Sequence, residues 1–248
     1  MFVPLRFTQG NAKLDDTITI FSLPAGWSCP FASACLSKAN ERTGLIKDGP
    51  YTDHRCHAAS AESRSPQARR MYWHNYRLLK KCRTKEQMTQ LLLKSLSDLA
   101  SIVRIHAAGD FFSQRYFDAW LQVARERDQT LFYGYTKSLR YWLARLQEIP
   151  ENLCLTASYG GKHDDLIAIY GLRSARVVLS EEEAEKLGLE IDHDDSHAMR
   201  PGPDFALLIH GSQPAGTPAS RAVQDLRNQG VYGYGREKKR FSPRFSLT

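Results

Sequence analysis

The alternation of strand and helix patterns is the sequence feature that most constrains the fold. Short runs of β-branched and apolar residues recur along the chain, and a segment with helical spacing of apolar residues follows each of them. The connections between these runs are too long for hairpins, so successive strands should run parallel and be joined by right-handed crossovers. The predicted strands are residues 17–23, 102–107, 131–135, 152–156, 175–179 and 205–210.

Six βα units fit two architectures, a doubly wound open sheet or a partial barrel. No Gly-rich GxGxxG turn follows the first predicted strand, so we favour an α/β fold with a partial (β/α) barrel of about six units. We expect a single domain over residues 1–248, with a Cys-containing metal-binding loop at residues 24–65 inserted after the first strand. In both architectures the functional site lies at the carboxyl ends of the strands.

The distribution of apolar residues argues against a membrane protein. Although 42% of the residues are hydrophobic, no run of eighteen or more apolar residues occurs. The first residues, MFVPLRFTQG, lack the continuous apolar stretch of a signal peptide. We therefore expect a soluble cytoplasmic protein without a membrane partner.

Three of the five cysteines are concentrated in one early segment. Five residues separate Cys29 from Cys35, and twenty separate Cys35 from Cys56. An odd number of cysteines excludes a complete disulfide framework and favours a reducing compartment. Thiolates select zinc, copper(I) or iron–sulfur clusters, but structural zinc usually has four ligands. The count therefore favours a 4Fe-4S or 3Fe-4S cluster with one iron open to another ligand. Zinc and simple packing of three small residues stay as alternatives.

Polar residues follow several of the predicted strands and form the candidate site. Gly109 and Asp110 follow the second strand, Lys137 follows the third, and His210 ends the sixth. Asp110 could act as a base, bind a ligand or only cap the next helix. Lys137 could hold a carboxylate or phosphate. We predict that Asp110, Lys137 and His210 line a pocket for a small molecule.

The charges indicate a second class of function. The net charge is +7, and eight Lys or Arg residues without any acid lie between Arg64 and Lys85. The residues from this block that we expect to contact nucleic acid are Arg69, Arg70, Arg77, Lys80 and Lys81, together with a basic aromatic tail at 229–248. The alternative function is thus a nucleic-acid-binding or -modifying accessory protein with structural zinc or no metal. An acidic block at 181–195 is expected to be a solvated surface.

Five segments stand in order along the chain: FSLPAGWSCPFASAC, CHAASAES, a basic helix with Trp73 and Asn75, IHAAGDFFSQRYFDAW, and YTKSLRYW. Together they resemble the gene product 88 family of phages and plasmids, over residues 21–211. No cysteine follows Cys154, so this chain has no C-terminal cysteines for a second metal centre. The resemblance therefore leaves Cys29, Cys35 and Cys56 as the ligand candidates.

The predicted architecture is also similar to that of radical-SAM enzymes, which place three cluster-binding cysteines after the first strand of a six-unit partial barrel. In those enzymes a turn after the second strand holds the amino group of S-adenosylmethionine (SAM), and Gly109 and Asp110 occupy that place here. This similarity implies SAM as a second cofactor. The cysteine spacing differs from the tight CxxxCxxC pattern of those enzymes.

Overall fold

A computed structural model of the chain describes residues 2–11 and 13–231. The strands in these residues are β1 (Thr8–Gln9), β2 (Ile18–Ile20), β3 (Ser37–Ala39), β4 (Ile46–Asp48), β5 (Ile102–Ile105), β6 (Leu131–Thr136), β7 (Leu153–Ser158), β8 (Ser174–Val178), β9 (Glu190–Ile191) and β10 (Phe205–Leu208). Strands β3 and β4 form a separate antiparallel hairpin, and the others form one sheet. Residues 232–248 of the predicted basic tail, 229–248, lie outside the described residues.

The sheet confirms the predicted parallel arrangement. Its strand order is β1-β2-β5-β6-β7-β8-β10-β9, so the six predicted strands lie side by side in the order in which they occur in the chain. Every pair among these six neighbours is parallel, whereas β1 runs antiparallel to β2. The order shows no reversal of the kind that defines a doubly wound sheet. Within the described residues β1 and β9 are edges, so the sheet is not closed there.

The helices connect the strands as the sequence pattern predicts. They are α1 (His57–Arg64), α2 (Pro66–Lys81), α3 (Lys85–Ser95), α4 (Gln114–Glu126), α5 (Leu139–Leu143), α6 (Asp165–Ile169), α7 (Glu181–Lys186) and α8 (Pro218–Asn228). Side-chain caps fix several of their starts. Ser65 accepts a hydrogen bond from the Ala68 amide, with Pro66 in the first turn, and Ser113 caps α4 in the same way. In the described residues no helix is long and apolar enough to cross a bilayer.

The two faces of the sheet bury different partners, because side chains alternate along each strand. Val103, Ile105 and Phe132 pack in one large cluster with residues of α2, α3, α4 and α5. The alternate strand residues Ile102 and Tyr133 belong to a second cluster, which Ala198, Met199 and Phe205 complete. The segment before β10 therefore covers the face of the sheet opposite to α4.

Two acids of the acidic block are not part of the solvated surface that the sequence predicted, although Glu181, Glu182, Glu185 and Glu190 are exposed. The side chains of Asp192 and Asp195 are fully buried. Asp195 accepts hydrogen bonds from Tyr133 and Tyr135, both at 3.2 Å, and pairs with Lys13 at 2.5 Å and Arg104 at 2.9 Å. Burial alone would raise the pKa of Asp195, but the two cations outweigh it and hold that pKa at about 2. For these two residues the prediction is wrong, because the partners of Asp195 come from distant segments of the chain.

Candidate functional site

The segment between β2 and α2, which carries the three cysteines, has a structure of its own. It contains the β3–β4 hairpin and helix α1. Arg55 pairs with Asp48 at 2.5 Å, and this fixes the end of the hairpin to the segment that precedes α1. Arg69 of α2 is only 5% exposed. Its guanidinium donates to the carbonyl oxygens of Glu41, Glu62 and Ser63. The predicted nucleic-acid contact by Arg69 is therefore wrong, because the side chain holds this segment together.

The same segment lies across the carboxyl ends of the strands. The amides of Ser33 and Ala34 donate to the Gly160 carbonyl, at 3.0 and 2.9 Å, in the turn that follows β7. The Lys162 amide donates to the Phe31 carbonyl at 2.9 Å. These bonds attach a loop that begins after β2 to the end of β7. The cysteines are thereby placed over the edge of the sheet where the sequence predicts a site.

The structure brings Cys29, Cys35 and Cys56 together. The thiols of Cys35 and Cys56 are close enough to affect each other's pKa, and Cys29 lies within electrostatic reach of both. The Cys29 sulfur also accepts a hydrogen bond from the Gly26 amide at 3.3 Å. All three residues are half-buried. In residues 2–11 and 13–231, however, no three His, Cys, Asp or Glu side chains are arranged as ligands of one metal ion.

The three thiols differ in their ionisation. The neighbouring Cys56 thiol lowers the pKa of Cys35 to about 6, and the positive charge of Lys137 adds to this effect. Burial raises the pKa of Cys29, and the negative charge of Asp110 raises it further. Cys35 is thus the thiol that is ionised at neutral pH.

Lys137, which follows β6, lies close enough to the thiols for its charge to act on Cys35. Its ammonium donates to the Ser158 hydroxyl at 2.6 Å. Burial, together with the charge of Lys137, lowers the pKa of His54 to about 4, so His54 is neutral at pH 7. The sequence pattern did not single out Ser158, although its position as the last residue of β7 is the signal that could have identified it.

Asp110 and Gly109 serve the packing of the strand ends. One oxygen of the Asp110 carboxylate accepts from the Phe111 amide at 2.7 Å and the Thr136 hydroxyl at 2.6 Å. The other accepts from the Lys137 amide at 2.9 Å. The side chain, which is only 4% exposed, thereby joins the end of β5 to the end of β6. Gly109 has φ +90°, and a Cβ built on it would lie 2.5 Å from the Ser28 hydroxyl oxygen.

His210 is paired with His57, a residue that the sequence analysis did not select. The two rings lie with their centroids 4.5 Å apart and an interplanar angle of 34°. Burial lowers the pKa of His210 to about 4, and burial and the neighbouring His210 also lower the pKa of His57. The ring of His210 is hydrogen-bonded through Nδ1 to the Leu208 carbonyl at 3.1 Å. Because His57 directly follows Cys56, this pair of neutral imidazoles lies next to the thiols.

The order of these segments matches a known family. The family model described as "Gene product 88" matches residues 5–228, which include every candidate residue from Cys29 to His210. The chain belongs to the gene product 88 family. This confirms the resemblance found in the sequence.

One curated relative of this gene product 88 chain is the "Gene 88 protein" of Mycobacterium phage D29, which is 29% identical over 139 residues. The aligned part covers 52% of this chain and 50% of the relative, so the chain spans about half the length of the phage protein. No solved structure matches the chain.

A buried glutamate supports the turn that carries Cys29 in this gene product 88 chain. Glu62 of α1 is fully buried, and one of its carboxyl oxygens accepts from the Ala25 amide at 2.6 Å. The other oxygen has no hydrogen-bond partner among the described residues. Burial raises the pKa of Glu62 to about 8, so the folded protein holds a proton there at neutral pH.

The raised pKa of Glu62 predicts how stability depends on pH. Because the folded state binds more protons than the unfolded state, the free energy of unfolding should fall as pH rises from 4.5, the ordinary pKa, to about 8. The slope should be at most about 1.4 kcal/mol per pH unit. Glu62→Gln should remove this slope, which urea denaturation at pH 5, 6.5 and 8 would measure. Equal slopes in the two proteins would contradict the prediction.

Proposed function

We propose that Cys29, Cys35 and Cys56 bind a thiophilic metal centre. The first candidate is an iron–sulfur cluster of the 4Fe-4S or 3Fe-4S type, and zinc is the alternative. The observation that carries the proposal is the proximity of the three thiols to one another at the carboxyl ends of parallel strands. All three thiols belong to one segment, and the hairpin, the helix and the hydrogen bonds of that segment hold it in place.

The surroundings of the sulfur atoms suit metal ligation. The Gly26 amide donates to the Cys29 sulfur at 3.3 Å. Hydrogen bonds of this kind stabilise sulfur ligands and tune cluster potentials. The lowered pKa of Cys35 supplies the thiolate form that binds metals. The three thiols do not form a ligand set in the arrangement described above, so the side chains must rearrange when one centre binds to all of them. A cluster held by three cysteines has one iron that can bind a small molecule or exchange electrons with it.

The pocket for that small molecule is proposed to lie next to Lys137 and His210. The Lys137 ammonium, which lies beside Ser158, would bind an anionic group of the ligand. The His57–His210 pair is neutral and can accept or donate a hydrogen bond. Asp110 is left out of this role because its carboxylate already accepts three hydrogen bonds within the chain. For the same reason we do not include SAM among the proposed cofactors.

We further propose that the sheet is curved as a partial (β/α) barrel. The chain-order arrangement of the six parallel strands supports this, because right-handed crossovers in one direction put the connecting helices on the same face. The second support is the separate cluster of Ile102, Tyr133 and Phe205, which would fill the concave face. Thiolate ligands stay reduced in the cytoplasm, where we therefore place the protein.

Replacement of individual cysteines tests the metal centre. Protein reconstituted anaerobically with iron and sulfide should be brown and hold several iron atoms per chain, whereas Cys29→Ala, Cys35→Ala and Cys56→Ala should each lose most of the iron. Cys82→Ala and Cys154→Ala are matched controls, because these cysteines lie outside the thiol cluster and should keep the iron. The measurements are iron, sulfide and zinc per chain and the visible absorption spectrum.

The outcomes separate the alternatives. If the protein holds one zinc per chain and the same three variants lose it, the three cysteines form a zinc site and not an iron–sulfur cluster. Iron content that is equal in the Cys35→Ala and Cys82→Ala proteins would refute a metal centre at these thiols. All five variants should first be compared with the unaltered protein by circular dichroism.

A further inference from the structure

A strip of aromatic rings lies along α2 and continues onto the loop that precedes Cys29. Trp27 packs against Trp73 with ring centroids 5.6 Å apart, and Trp73 packs against Tyr76 at 5.9 Å. Tyr76 in turn meets Phe112 at 5.3 Å. We call these four residues the aromatic strip. The Trp27 side chain is 45% exposed, and the other three are partly buried, so the strip lies at the surface.

Each part of the aromatic strip has a cation over it. Lys38 lies 4.9 Å from the ring centroid of Trp27, and Arg77 lies 5.7 Å from that of Trp73. Lys80 lies 6.0 Å from the Tyr76 centroid and 5.4 Å from the Phe112 centroid. Helix α2 also exposes Arg70 and Lys81. Glu41, which pairs with Arg77, is a carboxylate that neutralises part of this charge.

We propose that the aromatic strip binds single-stranded nucleic acid. Bases stack on partly exposed aromatic rings, while Lys and Arg side chains contact the phosphates between them. A duplex offers its phosphates but keeps its bases stacked on one another, so it can use the cations and not the rings. This inference goes beyond the proposed metal centre and does not depend on it.

The position of the aromatic strip determines where a bound strand would lead. Trp27 is two residues from Cys29, and the Tyr76 hydroxyl donates to the Trp27 carbonyl at 3.4 Å. A strand bound along Phe112, Tyr76, Trp73 and Trp27 would therefore extend to the thiol cluster. The ligand of the strip would then reach the strand-end site.

Binding of labelled oligonucleotides to the full chain tests the proposal. We expect the protein to bind a single strand of about 15 nucleotides, oligo(dT) or oligo(U), more tightly than a duplex of the same length. Trp27→Leu should weaken single-strand binding about 10-fold through loss of base stacking. Lys80→Ala should weaken it and also reduce the slope of log K against log salt by about 0.7 for the lost phosphate contact. Fluorescence anisotropy over a range of salt concentrations measures both effects.

Matched controls come from exposed residues away from the strip. Tyr170→Leu removes a ring that is 53% exposed, and Lys94→Ala removes an exposed cation of α3, so neither should change the affinity. Three results would overturn the proposal. They are absence of binding at about 50 mM salt, equal affinity for single strand and duplex, and equal affinities of the Trp27→Leu and Tyr170→Leu proteins. Binding that survives in Cys35→Ala after the metal is lost would separate this surface from the metal centre.

Discussion

Asp195→Asn should destabilise the protein by about 3–5 kcal/mol, the cost of breaking a buried ion pair by removal of one partner. Asp195 is fully buried, and its carboxylate faces both Lys13 and Arg104, whose side chains are only 10% and 11% exposed. The amide of Asn cannot neutralise either cation. Asn also tolerates the φ of +66° at this position, so the substitution tests charge and not backbone strain.

Urea denaturation at pH 7 measures the effect, and Asp98→Asn is the control. Asp98 pairs with Arg127 at 2.5 Å, but its side chain is 85% exposed, so its loss should cost less than about 1 kcal/mol. A similar free energy of unfolding for the two variants would show that the Asp195 cluster is not an important stabilising element.

The ion pairs of Asp195 also predict how the stability of the protein changes at acidic pH. The folded pKa of Asp195 is about 2 and its ordinary value is 3.8, so its stabilising contribution is complete above the ordinary value. That contribution is lost as pH falls through the folded pKa, because protonation then removes the charge. The unaltered protein should therefore lose its stability advantage over Asp195→Asn between about pH 4 and pH 2.

Gly109→Ala should be the second strongly destabilising change, by about 2–4 kcal/mol. A Cβ at this position would lie 2.5 Å from the Ser28 hydroxyl oxygen, 2.7 Å from the Leu23 Cβ and 3.0 Å from the Leu23 carbonyl oxygen. The contact with Leu23 cannot relax without movement of the backbone between β2 and Cys29. The φ of +90° adds strain for any residue with a side chain.

Gly188→Ala is the control that separates backbone strain from steric contacts of the added Cβ. Gly188 has φ +65°, but nothing lies within 4 Å of a Cβ built there, so only the backbone cost of about 1 kcal/mol should appear. Thermal and urea denaturation of both variants give the comparison. If Gly109→Ala proves as mild as Gly188→Ala, the end of β5 is not closely packed against the cysteine segment.

The sequence by itself determined the features that depend on neighbouring residues. Periodicity located the six parallel strands, because the period of a strand or helix depends only on residues a few positions apart. The cysteine segment and the strand-end residues were found in the same way, since the carboxyl ends of consecutive parallel strands always meet at one edge. The order of the motifs identified the family.

Only the tertiary structure decided which charges are buried and which residues meet. Asp195 pairs with Lys13 and Arg104, and His57 packs against His210, although these residues are far apart in the sequence. In the sequence Arg69 looks like part of a basic surface. In the structure its side chain is buried and donates hydrogen bonds to carbonyl oxygens of the cysteine segment. Local composition cannot predict these outcomes, because the burial of a charge depends on partners that distant segments bring to it.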